Sequence, residues 1–299
     1  MKLDEDKEKI NEEDKEENEK NKKQETNEKE LLKPMYDVVF QCLFSQKNIN
    51  ITKNMISALI EEEVKSIKIN DTKELFREYP EDKLGILDLE AEVNNNEVID
   101  VEIQLINRNN LPERLLMYFS KLYSMQVKIG KDYEKAKRVV IVAITNFDID
   151  LTKQIKEMET IWNLRERNHP NLVLTNKIEI HIINIMKAES EYIHNSKNKK
   201  AQWMMFIKDP NCEEVRSVVK ENKEIEEAVV EVKKLSQDEK LRKLAELRLK
   251  AIMDEKDIYR AGKNEEKIEI AKKMIKMELP IEQIEKVTDL TKEEIEKLM

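Results

Sequence analysis

Residues 84–106 read LGILDLEAEVNNNEVIDVEIQLI, and this stretch decides the fold. Two runs in which apolar and polar residues alternate, ILDLEAEV and VIDVEIQLI, flank the polar segment 94–97. Strict alternation is typical of half-buried strands, and a cluster of asparagines is a strong turn signal. The stretch therefore predicts a β-hairpin. The polar face of this hairpin carries five carboxylates: Asp88, Glu90, Glu92, Asp100 and Glu102.

The loop length sets the register of this hairpin. Directly opposed residues of an antiparallel pair lie on the same face, so matched apolar faces require opposed positions whose numbers sum to an even value. A two-residue loop at Asn95-Asn96 gives an odd sum and sets acid against core. A three-residue loop over 94–96 places Asp88 directly opposite Glu102, with Gln104 following on the same face.

Two interpretations of the acidic face follow. It is either an ordinary solvated face or a face that binds a cation, because like charges directly opposed destabilise a sheet unless they are screened. Two carboxylates beside a strand carbonyl are a typical arrangement of ligands for Mg²⁺. A polar side chain two positions on, Gln104, faces the same way and is able to position water for metal-assisted phosphodiester hydrolysis.

Composition limits the remaining classes. The 299 residues are 39% charged with a net charge of −9, and the 13 Asp/Glu and 8 Lys of residues 1–30 account for −5 of it. This segment has almost no apolar residue to bury, so we expect residues 1–33 to form a charged, disordered leader. Two distant cysteines and three scattered histidines exclude a disulfide framework or a Cys/His metal motif. No apolar run is long enough for a membrane span, and a reducing cytoplasm fits best.

The pattern from residue 34 to 208 predicts an α/β core. Helices are predicted at 36–44, roughly 52–62, 111–130 and around 151–166. Strands are predicted at 64–70 and 73–79, in the hairpin, in the nearly all-apolar run RVVIVAITNF and in IEIHIINI. Residues 209–299 predict a helical C-terminal region. Its last segment predicts three short helices broken near 279–280 and 289–291, similar to a helix-turn-helix, with a capping box at Thr291 and Glu294.

The ordered motifs resemble the PD-(D/E)xK nuclease superfamily, in its branch of recombination-promoting nucleases and putative transposases. The resemblance rests on LGILDLEAEV followed by VIDVEIQ, on YDVVFQCLF, on RLLMYFSKLYSMQVKIGKDY and on the helical tail, over about residues 34–299. It implies a restriction-endonuclease-like core, a mixed sheet flanked by helices, with an all-helical C-terminal arm. Asp289 stands where the tail of that branch often has a glycine, so an altered turn is expected there.

The resemblance also implies a Mg²⁺-dependent DNA endonuclease, with Mn²⁺ as a substitute ion. By matched position, Asp88 and Glu102 bind the metal together with the Ile103 carbonyl. Gln104 stands where the superfamily usually has a lysine, and glutamine orients a water molecule but cannot donate positive charge. Asp37 is either an additional acidic site residue or a carboxylate favoured by the dipole of its helix.

Several readings of the remaining residues stay open. Arg114, Lys121 and Lys128 recur every seven residues, and this basic stripe either contacts DNA phosphates or is a solvated face. The expected biological role is DNA mobility, recombination or defence. The alternative is an inactive nuclease fold that acts as a DNA-binding or protein-interaction module, and an RNA substrate is a third reading. We expect any homo-oligomer to form through the helical C-terminal region.

Overall fold

The computed structural model describes residues 30–70, 88–127 and 132–299 of the chain. Within them lies a six-stranded mixed sheet with the order β1-β2-β3-β4-β6-β5. The β3–β4 and β4–β6 pairs are parallel and the other pairs are antiparallel. The strands are β1 (Ile67–Ile69), β2 (Leu89–Val93), β3 (Glu97–Gln104), β4 (Arg138–Thr145), β5 (Glu159–Arg165) and β6 (Val173–Asn184).

Helices cover both faces of the sheet and continue to the C-terminus. The helices are α1 (Asp37–Leu43), α2 (Ile49–Ile60), α3 (Leu111–Ser124), α4 (Ala188–His194), α5 (Lys199–Lys208), α6 (Glu213–Glu221), α7 (Lys223–Leu235), α8 (Glu239–Lys276), α9 (Ile281–Thr288) and α10 (Lys292–Glu296). One face of the sheet packs on α1, α2 and α5–α7 around the buried Phe40, Met55 and Trp203, and the other packs on α3 through Leu115 and Leu122. The predicted mixed α/β core with a helical arm is confirmed.

The central strand is β4, as its apolar run predicts. Every residue from Val139 to Thr145 is buried. Val140 and Val142 belong to the larger hydrophobic cluster, whereas Val139 and Ile141 pack beneath α3. A strand with helices on both faces needs apolar side chains at consecutive positions, and this explains why its sequence does not alternate.

The hairpin has the predicted three-residue loop. Val93 pairs with Glu97, and the ladder runs back to the pair formed by Leu89 and Val101. Asn94 and Asn95 adopt positive φ angles of 51° and 60°, a conformation that asparagine tolerates better than most residues. The numbers of opposed residues therefore sum to an even value, as predicted.

One predicted helix is wrong, the end of another needs correction, and one predicted strand lies in a part of the chain that the structure does not describe. Residues around 151–166 form a single 3₁₀ turn at Asp150–Thr152 and then the edge strand β5. The TIWNL segment, which is rich in β-branched and aromatic residues, pairs with β6, and this tertiary pairing outweighs the helix propensity of the surrounding Lys and Glu residues. Helix α3 ends at Ser124, earlier than predicted. The predicted strand at 73–79 lies outside the described residues.

The C-terminal end folds around a small hydrophobic cluster of its own, formed by Ala271, Ile284, Leu290 and Ile295. The predicted breaks and the capping box at Thr291 are confirmed. The first of the three predicted short helices is instead the end of α8, which spans 38 residues. Asp289 ends α9 with a φ of 53°, the left-handed conformation for which glycine is usually chosen.

The division of the chain at residues 33, 34, 208 and 209 stays a proposal, and residues 1–29 of the predicted leader lie outside the described residues. Leu32, which the predicted leader includes, is buried against Val39 and Leu241. Helix α5 ends at Lys208, where the sequence boundary was placed. Val215 of α6 and Ile225 of α7, which follow that boundary, pack in the same cluster as the sheet. The helical region is therefore continuous with the core through α7.

A network of charged side chains ties β4, β5, β6 and α5 together. Lys200 is buried and forms an ion pair with Glu159. His181, also buried, contacts Glu159 at 2.7 Å and Glu179 at 2.9 Å, and Arg138 contacts Glu179 at 2.6 Å. Burial favours a raised pKa for Glu159, but the hydrogen bonds from His181 and Lys200 outweigh burial and lower the pKa of that carboxyl.

We expect Glu159→Gln to lower the free energy of unfolding by about 2 kcal/mol at neutral pH, because the substitution leaves Lys200 without one carboxylate partner. A lowered pKa in the folded state stabilises the protein above the ordinary carboxyl range, and that stability is lost as pH falls. Urea denaturation at several pH values should show a shallower acid loss for Glu159→Gln. The exposed Glu157→Gln is the control, and an equal slope in both variants contradicts this account.

Candidate active site

The hairpin brings Asp88 and Glu102 together at the end of β2. Asp88 lies one residue before β2 and continues its register, so it stands opposite Glu102. The backbone N–H of Asp88 donates to Glu102 Oε1 at 3.1 Å, and the backbone N–H of Ile103 donates to Asp88 Oδ2 at 2.8 Å. Each carboxylate is therefore held by the strand that carries the other.

Burial argues against an ordinary solvated face at two positions of the hairpin. Glu102 is only 2% exposed and Asp100 is fully buried, so the face beneath α3 is not solvated at these positions. Burial and the charge of Asp88 raise the pKa of Glu102 well above its usual range. At the other end of the hairpin, Glu92 is half-buried and forms an ion pair with Lys137, as ordinary surface carboxylates do.

Asp100 is the most isolated carboxyl group of the site. Neither of its side-chain oxygens has a hydrogen-bond partner within the described part of the chain. Asp100 stands opposite Glu90 in the ladder and two positions before Glu102. Burial, followed by the charges of Glu102, Asp88 and Glu90, raises its pKa well above the usual range. The hairpin thus concentrates carboxyl groups in a place where water cannot stabilise their charged form.

A chain of hydrogen bonds leads from Glu102 to α3. Gln104 Nε2 donates to Glu102 Oε2 at 3.1 Å, and Arg114 Nη1 donates to Gln104 Oε1 at 2.8 Å. Arg114 Nη2 donates to the Tyr118 hydroxyl at 3.0 Å. The amide of Gln104 is therefore fixed in one orientation, since its nitrogen faces a carboxylate and its oxygen faces a guanidinium.

Helix α1 contributes two side chains to the same site. Gln41 Nε2 lies 3.5 Å from Asp88 Oδ1. Asp37, the first residue of α1, receives a hydrogen bond from the Val38 N–H at 2.9 Å and pairs with Arg248 Nε at 2.9 Å. Asp37 is therefore more than a carboxylate at the N-terminus of its helix, because its contact with Arg248 links α1 to α8.

These side chains line a cavity of about 270 Å³. Asp37, Asp88, Glu102 and Gln104 form part of its wall, and Arg114 lines it as well. Helix α8 closes a further side. The cavity residues from that helix are Arg248, Ile252 and Glu255.

The structure describes two of the three residues of the predicted basic stripe. Of the predicted basic stripe, Arg114 turns into the cavity rather than outward, Lys121 lies half-buried two turns further along α3, and Lys128 lies outside the described residues. Three lining or neighbouring residues, Gln41, Asp100 and Arg248, were missed as site residues. The cavity-lining positions 248, 252 and 255 of α8 recur every three to four residues, and a basic residue beside the apolar stripe of this helix is the signal that could have found Arg248.

The donor set fits an oxygen-ligated divalent cation. Asp88 and Glu102 offer carboxylate oxygens, and the Ile103 carbonyl belongs to the same strand. Across residues 30–70, 88–127 and 132–299, no group of three or more His, Cys, Asp and Glu side chains is arranged to hold a metal. Mg²⁺ is commonly held by one or two carboxylates and completes its shell with water and substrate phosphates, so this sparse set suits it.

The sheet is mixed, its acidic hairpin lies next to the parallel strand β4, and helices cover both faces. This arrangement is consistent with a restriction-endonuclease-like nuclease fold. The family model for PD-(D/E)XK nuclease family transposases matches residues 34–262. The chain belongs to this family. No curated protein and no solved structure matches the chain.

We expect Asp100→Asn to stabilise the metal-free protein, and the gain should grow as pH rises. A carboxyl whose pKa is raised by folding binds more protons in the folded state, so stability falls as pH rises above the ordinary carboxyl range. Thermal melts in EDTA should show a gain of about 2–4 °C per kcal/mol recovered. Glu113→Gln, at an exposed position of α3, is the control. A loss of stability for Asp100→Asn, or a gain that does not change with pH, contradicts this explanation.

Proposed function

We propose that the protein is a divalent-metal-dependent DNA endonuclease of the transposase and recombination-promoting type. The observation that carries the proposal is the opposition of Asp88 and Glu102 at the wall of a cavity, where Glu102 accepts from the Asp88 N–H and Asp88 accepts from the Ile103 N–H. Membership of a nuclease family supports the same class of reaction. The role that follows from such chemistry is DNA mobility, recombination or defence against foreign DNA.

Asp88, Glu102 and the Ile103 carbonyl would hold the metal in this proposal. Mg²⁺ is the expected ion, with Mn²⁺ as a substitute, because both prefer oxygen ligands. A bound divalent ion would stabilise the charge that develops on the phosphate and lower the pKa of a water molecule. Its positive charge would also offset the repulsion among the buried carboxyl groups of the hairpin.

The remaining side chains would position the reactants. Gln104 is held between Glu102 and Arg114, so its amide presents a fixed dipole to the cavity. Such a side chain orients water or a phosphate oxygen, but it cannot act as a base. Arg114 contributes positive charge to this wall, and Asp37 orients the guanidinium of Arg248. Lys121 and Lys128 remain candidates for contacts with more distant DNA phosphates.

DNA is the proposed partner, and the cytoplasm is the proposed location. Within the described segments, no helix has the length and apolarity needed to cross a bilayer. Self-association through the helical C-terminal region also stays a proposal. Leu244 and Leu247 of α8 are more than half exposed, and such apolar side chains could contact a second copy.

The alternative is a nuclease fold without activity, which would act as a DNA-binding or protein-interaction module. The observation that favours it is Gln104, an uncharged residue beside the candidate metal ligands. The same cleavage assay with RNA in place of DNA tests whether the substrate is RNA.

The first test is plasmid cleavage by the purified chain with Mg²⁺, Mn²⁺ or EDTA. Asp88→Ala and Glu102→Ala should abolish metal-dependent cleavage, because each removes half of the carboxylate pair. Both should also lose the rise in melting temperature that Mg²⁺ causes in the unmodified protein. Glu92→Ala, which removes a carboxylate from the far end of the same hairpin, should behave as the unmodified protein.

The outcome decides between the two functions. Absence of cleavage and of a metal-dependent rise in melting temperature in the unmodified protein would favour the binding module. Cleavage that persists in both Asp88→Ala and Glu102→Ala would return these carboxylates to a structural role.

We expect Gln104→Ala to reduce cleavage by roughly 10²-fold with little change in folding, because it disconnects Glu102 from Arg114 and frees both side chains to move. Gln104→Glu is the informative partner variant: it keeps the shape of the side chain but sets a second carboxylate against Glu102. Initial rates at saturating DNA and metal measure the effect. A rate for Gln104→Ala equal to that of the unmodified protein would show that the amide has no part in the reaction.

A further inference from the structure

The cavity contains more than its candidate metal ligands. Three arginines line it, and two of them are committed to protein partners. Arg108 contacts Glu255 through Nε at 2.8 Å and through Nη2 at 2.7 Å. Arg114 donates from both terminal nitrogens, to Gln104 and to Tyr118. These contacts leave the third arginine, Arg248, as the cation to explain.

Arg248 is held by its Nε alone. That atom lies 2.9 Å from Asp37 Oδ2, and the side chain is 49% exposed. In the part of the chain that the structure describes, the terminal nitrogens of Arg248 make no hydrogen bond. A guanidinium anchored through Nε keeps its two terminal NH2 groups available as a fork, the geometry that matches two oxygens of one phosphate.

The position of Arg248 along α8 is also informative. The stripe of α8 that faces the core begins with Leu241 and Ala245, which pack against Leu32 and Val39. Ile252, four residues after Arg248, is again buried. Arg248 lies beside this apolar stripe, and it lines the cavity together with Asp88 and Glu102.

The ion pair itself does not account for this arginine. Half-exposed ion pairs contribute little to stability, because solvent screens them and side-chain entropy opposes them. The packing of Leu241 and Ala245 already holds α8 against α1. A charge that the fold does not need, placed in a cavity with Asp88 and Glu102, is better explained by a ligand that carries negative charge.

We propose that Arg248 binds a phosphate group of the nucleic acid. This phosphate would neighbour the one that is cleaved at Asp88, Glu102 and their cation. The inference rests on the proposed function, and it names a residue outside the hairpin as part of the substrate site. Asp37 then acts as a positioning residue: it holds Nε so that the terminal nitrogens point into the cavity. The nucleic-acid site is consequently shared between the sheet, α1 and α8.

The test compares full-length Arg248→Ala, Arg248→Lys, Asp37→Asn and Lys250→Ala. Lys250 lies two residues from Arg248 on the same helix and is exposed, so it matches the loss of one positive charge outside the cavity. Binding of a fluorescent DNA duplex is measured at several salt concentrations with Ca²⁺ in place of Mg²⁺ and is read before products appear. Cleavage with Mg²⁺ is measured in parallel as kcat and KM.

We expect Arg248→Ala to lower kcat/KM by at least about 10-fold and to reduce the slope of log affinity against log salt by about 0.9, the value for one lost phosphate contact. Arg248→Lys should recover the slope but only part of the rate, because an ammonium group keeps the charge and loses the fork. Lys250→Ala should change neither quantity, and Asp37→Asn should lose less than Arg248→Ala.

Three outcomes separate the inference from the proposed function. If the unmodified protein cleaves DNA and Arg248→Ala matches Lys250→Ala, the inference is wrong and the nuclease stands. If the protein binds DNA without cleavage and only Arg248→Ala lowers the salt slope, the inference stands and the nuclease is wrong. Equal losses in Arg248→Ala and Asp37→Asn, with an unchanged salt slope, reduce Arg248 to a structural ion pair and overturn the inference.

Discussion

The site depends on the register of one hairpin. The three-residue loop after Val93 sets Asp88 opposite Glu102 and turns Asp100 towards α3. Because side chains alternate along a strand, a slip of one residue would send these carboxyl groups into the large apolar cluster on the other face of the sheet. The positive φ angles at Asn94 and Asn95 fit this loop, and the Asn94 side chain accepts hydrogen bonds from the backbone N–H groups of Lys65 and Ser66.

The same register concentrates charge where the fold gains nothing from it. Asp100 and Glu102 are buried beside the apolar β4, and their pKa values are raised because burial and mutual repulsion oppose ionisation. Elsewhere the sheet treats a largely buried carboxyl group differently: Glu159 contacts both Lys200 and His181 directly. Local arrangements that cost stability are expected at functional sites and are sustained by the rest of the core. The unpartnered oxygens of Asp100 contrast with the paired carboxylate of Glu159 in the same sheet, and this contrast supports the proposal that the acidic hairpin has a functional role.

The sequence predicts the elements whose local and tertiary preferences agree. The hairpin, the apolar β4 and the capping box at Thr291 follow from alternation, length and spacing, and they are found as predicted. Strand β5 was missed because its pairing with β6 outweighs the helix propensity of its neighbours. The sequence could predict three site residues, Asp88, Glu102 and Gln104, because they lie within 17 residues of one another. Arg248 follows Gln104 by well over a hundred positions, and no local pattern reports a contact of that separation.

Helix α1 connects the two halves of the cavity. On one side Val39 packs against the start of α8, and Phe40 belongs to the main cluster beneath the sheet. On the other side Asp37 and Gln41 reach Arg248 and Asp88. A shift of α8 would therefore act on the carboxylates through α1, even though α8 comes from the helical region rather than from the sheet. The helical region thus forms a wall of the candidate active site, and this site is not complete when the last strand ends.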